Sequence, residues 1–168
     1  NNFVISGAGR IAGSTGIVKS GLASLEIATA NTFTGPVDVQ AGTLRIGSGA
    51  ALGTSASGTT VQSGGTLDLN GQNVVNEAIT ISGAGADGSS GALVNNGGAP
   101  PVQSLRLLTL GGNATVGGAG PLLMNNSGGA ASLLGAFNLT KTGSGQFTLQ
   151  NLTTVDLGLQ NIDIQQGT

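Results

Sequence analysis

The chain has 168 residues, a formal net charge of −2, no His, no Cys, and only 7% charged residues. That length suits one domain, and the weak charge gives no field to steer nucleic acid. Without His or Cys, a Ser-His-Asp triad, a Cys-His dyad and His- or Cys-based zinc sites are unavailable. Glycine, at 32 residues, has no three-residue period, which excludes collagen, and 38% hydrophobic residues with a mean hydropathy of +0.24 argue against disorder.

In chain order, short apolar phrases recur with Gly or Asn at nearly every end. Expected strands are 3–5, 16–18, 25–27, 37–39, 43–46, 60–62, 66–69, 78–81, 92–94, 105–110, 114–116, 122–124, 137–140, 146–149, 155–157 and 162–164. Helices are disfavoured by punctuation. The longest Gly-free run, Leu22 to Thr34, contains Asn31 and three Thr, and another carries Pro100-Pro101. All-β is the expected class.

The phrases repeat. Lys141, Gly143, Phe147 and Leu149 follow Lys19, Gly21, Leu25 and Ile27 at one offset, that of Lys19 to Lys141. Ile162-Asp163-Ile164-Gln165-Gln166-Gly167-Thr168 repeats Val37-Asp38-Val39-Gln40-Ala41-Gly42-Thr43 slightly further on. Two copies are therefore placed at about 17–46 and 139–168 of a single module spanning 1–168. Shorter echoes join Gly42–Ile46 to Gly65–Leu69, Ala78–Gly85 to Asn113–Gly120, and Leu93–Asn96 to Leu123–Asn126. A constant strand phrase at irregular spacings of roughly 20 to 35 residues predicts coils of a parallel β-solenoid, about seven of them, coiling right-handed.

The alternation sets the phase: Leu25, Ile27, Val37, Val39, Leu44, Ile46, Leu67, Leu69, Ile79, Ile81, Phe147 and Leu149 point inward, and Asp38 and Asp163 outward. Phe33 and Phe147 read as core rather than as sugar-stacking platforms. Lys19 and Lys141 read as solvated charges at strand edges, so Lys19→Ala is expected to cost less than about 1 kcal/mol. The turn residues Asn31, Asn70, Asn95, Asn96, Asn125, Asn126 and Asn151 read mostly as ordinary turns, leaving room for one stacked ladder.

The phrase K-x-G-x-x-x-L-x-I over Lys19–Ile27, then Asn31-Thr32-Phe33-Thr34-Gly35, then Val37 to Ile46, resembles the autotransporter-associated β-strand repeat, also called the passenger-associated transport repeat. The second copy lacks the Asn-Thr-aromatic-Thr-Gly block and has Asn151-Leu152-Thr153-Thr154 there. The resemblance implies a right-handed β-helix in a secreted or surface-displayed bacterial passenger, and no catalytic activity of its own.

Remaining motifs are weak. Gly83-Ala84-Gly85-Ala86-Asp87-Gly88 fits G-x-G-x-x-G but is followed by Ser89-Ser90-Gly91 rather than a helix, and as a calcium nonapeptide it lacks tandem copies. Among Glu26, Asp38, Asp68, Glu77, Asp87, Asp156 and Asp163, only Asp38 with Asp68 on stacked coils forms a conceivable acid pair. Sequons at Asn113, Asn125, Asn138 and Asn151 are expected by chance in such a composition. No catalytic, cofactor or metal residue is assigned.

The expected role is a structural stalk or adhesin scaffold outside the cell or on its surface. The alternatives are a filament subunit stacking on itself and a carbohydrate-binding or carbohydrate-cleaving β-helix. Host or cell-surface glycans or proteins are the expected partners, with no nucleic acid. No stretch approaches a membrane helix, and Asn1-Asn2-Phe3 does not open a signal peptide. Self-stacking would set Phe3-Val4-Ile5 against the end at Ile162–Thr168.

Overall fold

The computed structural model describes residues 1–98 and 103–167; Pro100-Pro101 and Thr168 of the sequence reading lie outside them. No helix occurs among the described residues. In chain order the strands are β1 (Phe3–Ile5), β2 (Ala12–Gly13), β3 (Ile17–Lys19), β4 (Ser24–Ile27), β5 (Thr32–Phe33) and β6 (Val37–Val39). There follow β7 (Gly42–Ile46), β8 (Thr59–Val61), β9 (Gly65–Asp68), β10 (Ala78–Gly83), β11 (Leu93–Val94) and β12 (Leu107–Gly117). The last are β13 (Leu122–Met124), β14 (Ser132–Leu134), β15 (Leu139–Lys141), β16 (Phe147–Leu149), β17 (Thr154–Val155) and β18 (Ile162–Ile164).

Every pairing is parallel, and the strands stack as a β-solenoid of about seven turns. One wall runs β3-β6-β8-β10-β12-β14-β17. A second runs β1-β4-β7-β9-β11-β12-β15-β18. The third is mostly irregular, with β2-β5 and β13-β16 as its regular pairs. Elsewhere it is held by single bonds such as Val74 N to Ser104 O (2.8 Å) and Ser104 N to Leu123 O (2.8 Å).

Period-two alternation makes this possible, because one side chain of each pair turns into the stack while the other faces water. Ile27, Val37, Val39, Leu44, Ile46, Leu67, Leu69, Ile79 and Ile81 are buried as expected, and Leu25, Phe147 and Leu149 are partly buried against the same core. Fully buried Phe33 belongs to that core. Each Leu or Ile so buried contributes about 1.5–3 kcal/mol.

Three strand assignments change. The expected strands 105–110 and 114–116 are one strand, β12, which pairs with β10 and β14 through its first half and with β11 and β15 through its second. Lys19 and Lys141 lie within β3 and β15 rather than beyond a strand end. Strands β2, β5 and β14 have no counterpart in the sequence reading, because two- or three-residue pairings carry almost no alternation signal.

Not every echo stacks on its twin. Gly42-Thr43-Leu44-Arg45 lies directly on Gly65-Thr66-Leu67-Asp68. Ala78–Ile81, however, lies on Leu107–Leu110, while its echo Ala114–Val116 sits one wall further round. Leu93-Val94 stacks on Val116-Gly117, and its echo Leu123-Met124 lies in the third wall. The long repeat is displaced in the same sense: β3 pairs with β6 in the first wall, and the equivalent β15 pairs with β18 in the second. Each of these displaced phrases thus sits one wall further round than the phrase it echoes.

Candidate functional site

An inward ladder position normally calls for an apolar side chain, yet Lys19 occupies one, above Val39. It is only 6% exposed. Its stem lies in the stack, and its Nζ donates to the carbonyls of Gly21 (2.8 Å) and Ala41 (2.8 Å), with Ser20 O at 3.5 Å. Gly21 is on Lys19's own coil and Ala41 on the next, so one ammonium ties two turns together. Lys141, 3% exposed, repeats the device with Thr142 O (2.6 Å), Gly143 O (2.8 Å) and Gln166 O (3.2 Å). Burial lowers the pKa of both lysines. The expectation of solvated edge charges is therefore corrected. A turn that presents several carbonyls to one point needs a donor there, and Lys supplies three N–H groups on a long apolar stem.

Two asparagines make comparable bridges. Asn31 Oδ1 accepts from Ile11 N (2.9 Å) on one side, and its Nδ2 donates to Ala51 O (2.8 Å) on the other. Asn95 Oδ1 accepts from Gly71 N (2.7 Å), and its Nδ2 donates to Pro121 O (2.6 Å). Both are buried, so they are coil-to-coil staples rather than ordinary turn residues. Asn70 and Asn151 do serve turns, at φ of 47° and 51°. A stacked ladder exists, but on Asn113, Asn138 and Asn161: Asn138 Nδ2 donates to Asn113 Oδ1 (3.2 Å) and Asn161 Nδ2 to Asn138 Oδ1 (2.9 Å). Each of the three stands just before the inward residue of its second-wall strand segment, so the ladder follows from register.

The carboxylates do not converge. Asp38 stacks beside Thr60 in the first wall, whereas Asp68 stacks beside Arg45 in the second, so the conceivable Asp38–Asp68 pair is not formed. Asp38 accepts from Gln40 Nε2 (2.8 Å) and Gln62 Nε2 (3.2 Å), and Asp163 accepts from Gln165 Nε2 (3.0 Å), so both repeat copies close the same outward D-x-Q bond. Asp68 is buried, accepting from Asn70 N (3.0 Å) and Asn96 N (3.0 Å). Asp156 accepts from Gly158 N (2.8 Å) and Gly135 N (3.0 Å), which lowers its pKa.

Asp87 caps its own loop. The Ser90 hydroxyl and the Ser90 and Ser89 amides donate to it, and these bonds bring its pKa down to about 2. The glycine motif leads through this loop into β11, not into a helix. No group of three or more metal-ligating side chains occurs among the described residues. Glu77 was not singled out in the sequence. It is 6% exposed and accepts from Thr59 Oγ1 (2.6 Å), and burial raises its pKa against that bond. Thr59 fills an inward position, and a buried hydroxyl that needs an acceptor was the available signal.

Three stacked parallel walls, locked internally by lysines and asparagines, define a β-solenoid repeat scaffold. The family model described as Passenger-associated-transport-repeat matches residues 17–46 and 139–156, in agreement with the resemblance read from the sequence. A relative described as Adhesin BmaC autotransporter, from Brucella suis biovar 1 (strain 1330), is 34% identical over 141 residues, 82% of this chain. The match covers 3% of that relative's length. No solved structure matches. Repeat and relative together place the chain outside the cell or on the bacterial cell surface. No helix long and apolar enough to cross a membrane occurs among the described residues.

Proposed function

We propose that the protein is a non-catalytic structural segment of a surface passenger, one solenoid module acting as stalk or adhesin scaffold. The observation that carries this is the use of its buried polar groups. Lys19, Lys141, Asn31 and Asn95 all bond backbone of neighbouring turns, which serves stacking rather than chemistry. The adhesin relative supports the display role, with glycans or proteins of a surface as the partners that role would meet. The test is to delete the module from the passenger that contains it and measure the projecting length of the displayed protein by electron microscopy. A rod shortened by about 4.8 Å per deleted coil, with distal epitopes still displayed, fits a spacer. Hydrolysis of a polysaccharide by the purified protein, abolished by Asp38→Asn or Asp68→Asn, would overturn the non-catalytic reading.

A second reading, end-to-end self-assembly, is favoured by exposed apolar residues at both ends of the stack. Phe3, Val4 and Leu22 lie at one end, and Leu157, Ile162 and Ile164 at the other. Adjoining coils of a longer chain would cover the same surfaces. Light scattering at rising concentration separates the two, because a monomer that persists rules out assembly through these ends.

A further inference from the structure

Between the turn after β7 and the turn after β9, one coil apart, lies a hollow of about 210 Å³. Buried Leu52, Val74 and Glu77 and exposed Asn73, Asn76 and Ser55 are among the residues that line it. The two turns touch: a Cβ on Gly49 would stand 2.8 Å from Asn73 O. Glu77 Oε1 is committed to Thr59. Its Oε2 has no hydrogen bond among the described residues, and no buried side-chain oxygen or nitrogen is left unsatisfied there, so Oε2 reaches the open space of the hollow.

The lining amides are oriented by their own bonds. Asn73 Oδ1 accepts from Val75 N (3.1 Å), and Asn76 Oδ1 accepts from Arg106 Nη2. Both amide NH₂ groups remain as donors. The hollow therefore offers one acceptor-only carboxylate oxygen, two amide donors, a hydroxyl and the apolar side chains of Leu52 and Val74. An organic cation would meet two mismatched donors, and a divalent cation would find a single carboxylate. Vicinal hydroxyls, each able to donate and accept, satisfy all of these groups. The space is below the roughly 300–1,000 Å³ of sites for drug-sized ligands.

We propose that this hollow binds one neutral sugar unit, with Glu77 Oε2 accepting from one hydroxyl and the Asn73 and Asn76 amides donating to its neighbours. The proposal goes beyond the scaffold reading and stands or falls separately from it. Saturation-transfer NMR on the purified protein tests it, with the methyl glycosides of glucose, galactose, mannose and N-acetylglucosamine as probes and methylammonium chloride as the amine control. At least one glycoside is expected to bind, and Glu77→Gln and Asn73→Ala are each expected to weaken it at least threefold. Glu77→Gln keeps an acceptor for Thr59, and Asn73 is exposed, so both variants retain the fold; Gln62→Ala, away from the hollow, should leave binding unchanged. Absence of transfer to every glycoside, loss of less than threefold in both variants, or displacement of the glycoside by methylammonium would overturn the proposal.

Discussion

Lys19 and Gly42 share one site. A Cβ built on Gly42 would lie 2.7 Å from Lys19 Nζ and 2.5 Å from Gly21 O, so the ammonium fits only because residue 42 has no side chain. The second copy keeps the pair: a Cβ on Gly167 would lie 2.9 Å from Lys141 Nζ and 2.6 Å from Gly143 O. The Lys-x-Gly phrase and the Gly about twenty residues later are thus two halves of one lock between coils.

Lys19→Met tests the lock from the lysine side. Methionine keeps most of the apolar stem but leaves the carbonyls of Gly21 and Ala41 without their donor. The expected loss is about 2–3 kcal/mol, in line with leaving buried acceptors unsatisfied. Equilibrium urea unfolding measures it, and a loss under about 1 kcal/mol would return Lys19 to a surface role. Lys141→Met should move in the same direction.

Gly42→Ala tests the lock from the glycine side, with Gly21→Ala as its control. Both residues have positive φ, 66° and 81°, so both substitutions carry the left-handed cost of about 1–2 kcal/mol. At Gly21 a Cβ meets nothing within 4 Å. At Gly42 it displaces the ammonium as well, adding about 1–3 kcal/mol of overpacking. Thermal melts should show Gly42→Ala as clearly the worse of the two; equal losses would mean that the close approach carries no energy.

The solenoid was legible in the sequence because alternation and the recurring Gly-Thr-Leu phrase report what each coil repeats. Val37, Leu44 and Leu67 needed no more than period two to be placed inside. Lys19 was misplaced because a charge at an inward register position looks like a strand edge when one of the carbonyls that bury it, that of Ala41, belongs to the next coil. Asn31 and Asn95 were missed as staples for the same reason, since their partners are backbone atoms without a sequence signature. The one-wall displacement of the later echoes was invisible because sequence similarity records the phrase but not the wall on which it lands. Glu77 and its hollow arise from two turns brought together by stacking, which no local pattern announces.

Asn31→Ala removes three hydrogen bonds, from Ile11 N and Thr29 Oγ1 and to Ala51 O. A loss of roughly 2–3 kcal/mol is expected from urea unfolding. Asn31→Asp should be worse at neutral pH, because the carboxylate cannot donate to Ala51 O and would be buried. An Asp variant as stable as wild type would show that the staple is open to water.

Glu77 sets the sign of a pH dependence. Burial raises its folded pKa, opposed by the Thr59 hydrogen bond. Its unfolded value is near the usual 4.3 or so for a glutamate. Between these two values the folded state retains a proton that the unfolded state has released, so stability falls as pH rises through that window. Below the window both states are protonated, and above it the penalty of the buried charge is constant. The chain has no His to titrate alongside it, and Asp87, held down to about 2 by its hydrogen bonds, titrates below the window. Glu77→Gln removes the titration while keeping an acceptor for Thr59. The expected result is a flatter stability–pH curve above the ordinary glutamate pKa, with the variant at least as stable as wild type at the upper end of the range. Urea midpoints measured across that range check it, and a wild-type curve that rises with pH where the Gln curve is flat would contradict a raised pKa at Glu77.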